Sequence, residues 1–213
     1  CACQIMLMTS FAETVEQKGE RIAREIRKTN EGFIGEKSVM EMILIDAHGS
    51  SVRRELKGKV QEVKGDGDRS LSIFITPRDV KGTKMLTHSH KEKDDDQWLY
   101  LPSLRRKKRI AGRNKSASFM GSEFSYEDLG SQEVEKYNYK WIKDDKIEGD
   151  RVHILEKKSK IKSGYSKQVL YMNKRLSNPV KVDYFDRKGE LLKVATFSGY
   201  KMYKINKKEL WRP

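Results

Sequence analysis

The body of this 213-residue chain has no thiol, because its two cysteines, Cys1 and Cys3, both fall within the first three residues. That excludes disulfide frameworks, cysteine zinc sites and cysteine nucleophiles beyond the extreme N-terminus. Also missing is any apolar run approaching the roughly 18 residues that a helix needs to span a bilayer. No Gly-x-Ser-x-Gly elbow, Walker loop or Gly-x-Gly-x-x-Gly fingerprint occurs. The sequence therefore gives an enzyme no positive support, and the expectation is a non-enzymatic protein with no cofactor. No linker, low-complexity tract or internal repeat divides the chain, so residues 13–213 are read as one domain.

Negative charge is also in short supply. Against 45 Lys+Arg stand 31 Asp+Glu, a net charge of +14, which favours anionic partners such as nucleic acid, anionic lipid head groups or acidic polysaccharide. The densest basic run is Arg105, Arg106, Lys107, Lys108 and Arg109, with Arg113 and Lys115 just beyond. On a strand these charges would project alternately from both faces. Between Leu104 and Ser118 there is no aromatic residue to stack on bases, as a single-strand reader requires, so nucleic acid is not the expected partner. The run is a candidate contact for anionic head groups at a membrane surface, beside the plainer reading of a solvated hairpin.

Residues 1–12, CACQIMLMTSFA, are uncharged and centre on Ile5-Met6-Leu7-Met8, after which the chain turns abruptly polar. Small residues at Ser10 and Ala12 suit a signal-peptidase site behind a short apolar segment. The expectation is a signal-peptide remnant cleaved after Ala12 and export to the periplasm. A lipidated cysteine that tethers the protein is a further reading, and a plain apolar arm another.

From Thr14 to Asn30, Val15, Ile22, Ala23 and Ile26 fall near helical spacing, with Glu early and Arg and Lys late. This predicts an opening amphipathic helix in which Gly19 costs about 1 kcal/mol relative to Ala. After Gly35 the period changes, and short runs rich in Val, Ile, Tyr, Phe and Trp alternate with polar residues between turn signals. Strands are expected near 37–46, 51–64, 70–76, 82–90, 96–102, 106–111, 134–143, 147–157, 167–174, 179–187, 190–197 and 200–206. Asp66-Gly67, Asp186 to Gly189 and Ser198-Gly199 mark turns. So many sequential strands predict an antiparallel meander, curved or barrel-like. Gly121 to Gly130 breaks the alternation and reads as a short helix or a lid-like loop.

In Gln97 to Leu101 both faces are apolar, Trp98 and Tyr100 on one and Leu99 and Leu101 on the other, and Val169 to Met172 repeats the pattern. A sheet with one wet face does not look like that. Either it is a sandwich core or the sheet encloses a cavity. Tyr137, Tyr139 and Trp141 form a second aromatic set on one face of a strand. His88 and His90 share a strand face beside Asp94, Asp95 and Asp96, but Lys91 and Lys93 intervene and further ligands are missing, so a solvated strand end is preferred to a metal site.

Gln97-Trp98-Leu99-Tyr100-Leu101-Pro102, Arg109-Ile110 and the stretch SFMGSEFSYEDL from Ser118 to Leu129 resemble the family of outer-membrane lipoprotein-sorting proteins, which is LolA-like. The resemblance implies a mainly β fold with α elements. Its single curved antiparallel sheet would be a half-open barrel of about eleven strands, with helices covering the concave face over an apolar cavity. It also implies a periplasmic role in binding the acyl chains of lipids or lipoproteins, with a membrane transporter or an outer-membrane acceptor as partner. No arginine here matches the one that locks the lipoprotein carrier's lid, so none is carried over. Trp98, Tyr100, Phe119, Met120, Phe124 and Tyr126 are the expected lining of the cavity. Outward packing of Trp98 is the alternative. Other relatives of the fold act as partners of membrane transporters, sensors or surface lipoproteins, so an interaction or signalling module with a basic face on anionic membranes stays open beside the carrier.

Overall fold

The computed structural model describes residues 12–205 and 207–213; the candidate signal segment before Ala12 lies outside them. The described part opens with one α-helix, α1 (Val15–Asn30), begun by a reciprocal cap in which Thr14 and Gln17 each accept from the other's backbone N–H. Arg27 and Lys28 in its last turn suit the negative end of the helix dipole. Lys208 Nζ donates to the carbonyls of Lys28 and Glu31, which the helix end leaves open.

Six strands follow in a meander: β1 (Gly35–Ile45), β2 (Ser51–Gln61), β3 (Arg69–Thr76), β4 (Lys84–His88), β5 (Asp96–Leu101) and β6 (Arg106–Arg109), each antiparallel to the next. A second meander has β7 (Tyr137–Ile147), β8 (Asp150–Ser159), β9 (Lys167–Asn173), β10 (Asn178–Phe185) and β11 (Leu191–Thr196), again hydrogen-bonded in chain order. A hairpin of β12 (Lys201–Ile205) and β13 (Lys208–Arg212) closes the chain.

This corrects the expected single curved sheet of about eleven strands. The strands divide into a six-stranded sheet, a five-stranded sheet and a separate hairpin, and among the described residues no ladder joins β6 to β7. The cause lies between them. Strand β6 is four exposed basic residues long, and residues 110–136 then run as an irregular strap through 3-10 turns at Gly112–Asn114, Tyr126–Leu129 and Val134–Lys136. A chain folded back on itself in this way presents no straight edge for β7. Ser198-Gly199 likewise joins two sheets rather than turning a hairpin.

Among the described residues the helices expected over the concave face reduce to one α-helix. On it, Ile22 and Ala23, with Ile26 beside them, pack on Tyr139 of β7, Leu155 of β8 and Met172 of β9, covering one face of the five-stranded sheet. The six-stranded sheet is covered instead by the strap, whose Ile110 and Phe119 join Leu56, Phe74, Met85 and Leu99 in a separate buried cluster.

Candidate functional site

Strand alternation decides which residues reach the strap. Buried Gln97 and Leu99 of β5 point to it, so Trp98 and Tyr100 point away and are half-buried on the outer face of the sheet. The residues expected to line one cavity are therefore divided. Phe119, 1% exposed, packs its ring 5.8 Å from that of Phe74 and 5.7 Å from that of Tyr126, with Met120 and Tyr126 half-buried beside the same cluster. Phe124 is half exposed. Trp98 meets the ring of His88 edge-on at 5.3 Å, and Tyr100 lies beneath Lys84 Nζ.

The strap is tied down at many points. Residues 118–125 form a tight loop closed by an antiparallel bridge between Ser118 and Ser125, and Ser125 and Asp128 cap the 3-10 turn that follows. Arg54 donates to the Met120 carbonyl at 2.6 Å and Gln97 to the Tyr126 carbonyl at 2.7 Å. Toward the second sheet, Glu127 accepts from Ser163 and from the backbone of Gly164, and Asp128 from Tyr165 and Lys193. Lys136 pairs with Asp95, and buried Glu133 with Arg27 at 3.2 Å.

Beneath this strap the inner face of the five-stranded sheet is polar as well as apolar. Lys157 of β8 is 3% exposed, sits 3.8 Å over the ring of Tyr137 and donates to Gln132. Burial lowers its pKa to about 7, with Glu127 and Asp128 pulling it back up. Burial also raises Tyr137, Tyr139, Tyr165 and Tyr184 well above the usual phenol range.

On the outer face of the six-stranded sheet a groove of about 950 Å³ opens at one end. Its lining includes Ile34, Lys59, Arg69, Leu71, Leu86 and His88. Leu71 and Leu86 are register partners, and Leu86 in turn partners Trp98, which gives the floor a continuous apolar row. These lining residues come from four separate segments of the chain. Their sequence signal was only the two-faced apolarity of single strands: Leu71 and Leu86 were not legible, His88 was legible only beside His90, and Trp98 borders the groove without lining it.

The basic run is spread over an edge. Arg105 takes a left-handed conformation (φ 47°) that ends a 3-10 turn, and Arg106 to Arg109 form β6 with all four exposed. Lys107 and Arg109 pair in register with Tyr100 and Trp98 and so share the outer face, while Arg106 and Lys108 point to the other. His90 is held between Asp66 at 2.8 Å and Asp96 at 3.2 Å, and Asp96 also pairs with Arg109. Among the described residues no group of acidic, histidine or cysteine side chains is arranged to hold a metal ion, and no helix is long and apolar enough to cross a membrane.

The family model that matches residues 66–213 is described as an uncharacterised protein. No curated protein matches the chain. Among solved structures, an outer membrane lipoprotein-sorting protein domain from Vibrio parahaemolyticus is 50% identical over 92% of this chain and 83% of its own, with a TM-score of 0.89. A DUF1329 family protein from Desulfovibrio piger is 30% identical over 92% of this chain and 83% of its own, with a TM-score of 0.83. A LolA superfamily protein from Nitrosomonas europaea, 16% identical over 91% of this chain and 82% of its own, has a TM-score of 0.68 and shares the fold. With 50% identity to such a protein over 92% of its length, this chain belongs to the family of outer-membrane lipoprotein-sorting proteins and carries a LolA-like fold.

Proposed function

We propose that the protein is a non-enzymatic periplasmic binding protein, or carrier, for the acyl chain of a lipid or lipoprotein, and that the chain lies in the outer groove. The observation that carries this reading is the groove itself. Its volume of about 950 Å³ falls at the upper end of the roughly 300–1,000 Å³ typical of small-molecule sites. Leu71 and Leu86 give it an apolar floor, and Lys59 and Arg69 set cations at its rim. That combination fits an amphiphile with an anionic or polar head. A fourteen-carbon chain offers about 11 kcal/mol on full burial, and a groove open to solvent recovers only part of that, which suits a protein that must also release its cargo to a transporter or acceptor.

The cavity that the resemblance implies takes its lining from Trp98, Tyr100, Phe119, Met120, Phe124 and Tyr126, of which the last four belong to the strap. For the acyl chain to lie among those four the strap would have to leave, breaking its ties through Arg54, Gln97, Glu127 and Asp128 and uncovering the Phe74 cluster. The groove needs no such rearrangement. Native mass spectrometry of protein purified without detergent, followed by titration with a fluorescent fatty acid, tests the reading. Leu86→Trp fills the groove and is expected to weaken binding at least fivefold, whereas Phe119→Ala leaves the affinity of the folded fraction unchanged. The opposite pattern moves the site beneath the strap, and no acyl binding by the wild type removes the carrier reading.

A further inference from the structure

Strand register assembles a surface that no single segment carries. On the outer face of the six-stranded sheet one row across the strands reads Val39, Lys57, Ile73, Lys84, Tyr100, Lys107. The adjacent row reads Lys37, Lys59, Leu71, Leu86, Trp98, Arg109. Half of these positions are cationic, half apolar or aromatic, and none is acidic. Val39 is 69% exposed, and all six cations are exposed while Leu71, Ile73, Leu86, Trp98 and Tyr100 are half-buried. Arg109 pairs with Asp96, but Lys37, Lys57, Lys59, Lys84 and Lys107 make no ion pair among the described residues.

We propose that this face docks on an anionic phospholipid bilayer. Charge complementarity selects the partner's sign, and the layout selects its shape. In the first row the cations sit on every second strand, about 10 Å apart for strands spaced near 4.8 Å, and with the second row they form a two-dimensional grid. A nucleic-acid strand is followed by a line of cations with ring faces free for stacking. Here Lys84 lies over the ring of Tyr100 and His88 stands against Trp98. A grid with apolar side chains between the cations suits a plane of head groups. Trp and Tyr settle at the head-group level, and lysine stems lie along apolar surface with their ammonium groups at the phosphates. The opposite face of the sheet is covered by the strap, which leaves this one to meet a membrane. Docking does not depend on the acyl reading, although the groove opens on the same face and would be presented to the bilayer.

The test is co-sedimentation of the 213-residue chain with vesicles of one part phosphatidylglycerol to three parts phosphatidylcholine, against phosphatidylcholine alone. Binding is expected on the anionic vesicles only, falling at least tenfold between about 0.1 M and about 0.5 M salt. The triple variant Lys57→Glu, Lys84→Glu, Lys107→Glu is expected to lose at least tenfold. The control Lys162→Glu, Lys188→Glu, Lys201→Glu changes net charge equally and stays within twofold. With Trp141→Phe and Trp211→Phe, emission of the remaining Trp98 shifts to the blue on anionic vesicles. Equal loss in both triple variants reduces the effect to net charge and overturns the proposal, as does equal binding to neutral vesicles, an unshifted Trp98 or no binding. A dimer in sedimentation velocity that the first triple variant dissolves assigns the face to a second copy instead.

Discussion

Lys157 is the residue whose position matters most beyond its own contacts. Its pKa near 7 in the fold lies below the ordinary 10.5 because burial disfavours the ammonium. Between these values the unfolded chain holds a proton that the folded chain has released, so stability rises with pH through that window. The wild type should therefore show a higher Tm at about pH 9.5 than at about pH 7, and Lys157→Met, which keeps the stem's volume, should flatten that rise. Above about pH 10 the sign reverses, since the buried tyrosines have raised pKa values and only the unfolded chain loses their protons. A thermal melt series in both proteins reads the two limbs. Phe119 makes a simpler prediction. It is 1% exposed between Phe74 and Tyr126, so Phe119→Ala should cost about 3–5 kcal/mol in urea unfolding.

At the scale of elements, Gly19 reverses its meaning between sequence and structure. Helix propensity predicts that Gly19→Ala stabilises by about 1 kcal/mol. In the fold α1 crosses β7 at this point, and a Cβ there would meet the Trp141 backbone nitrogen at 2.7 Å and the Lys140 Cα at 2.9 Å. Backbone cannot swing aside as a side chain does, so Gly19→Ala should instead destabilise by about 1–3 kcal/mol, the usual cost of overpacking. The strap offers a second test. Glu127→Ala removes the acceptor that holds Ser163 and Gly164, and amide exchange in residues 116–130 should accelerate while that in β8 and β9 stays as it was. The turn between β7 and β8 lies later in the chain than the turn signals imply. Glu148 (φ 49°) and Gly149 (φ 88°) form the two-residue connection, and because Glu-Gly is a weaker turn signal than Asn-Gly or Asp-Gly, both strands were expected about three residues early.

For the molecule as a whole, a net charge of +14 means self-repulsion that a compact state feels more than an extended one. Many of the ion pairs are at the surface, as Arg53–Glu41 and Lys143–Asp145 are, and such pairs contribute little each. Screening the repulsion should outweigh weakening them. Adding salt from about 0.02 M to about 0.3 M, which shortens the Debye length several-fold, is expected to raise Tm. A fall would mean that the buried pairs, Lys136–Asp95 and Lys193–Asp128 among them, dominate the balance.

The sequence by itself determined the local structure: the opening amphipathic helix, the succession of strands up to β12, and the resemblance carried by residues 97–129. These follow from periodicity, charge placement and turn chemistry, which act within a few residues. It missed β13, where five residues have only Leu210 buried and no alternation to reveal a strand. Only the tertiary structure decided that the meander breaks at the strap, because whether two strands pair depends on where an irregular segment leaves its ends. Only it decided that Trp98 and Tyr100 face away from Phe119. Alternation along β5 was legible as two apolar faces, but which face the strap covers is a matter of packing between segments far apart in the chain. The groove and the rows of alternating cations and apolar side chains belong to the same class. They exist through the register of neighbouring strands, and register is set by hydrogen bonding between segments rather than within any one of them.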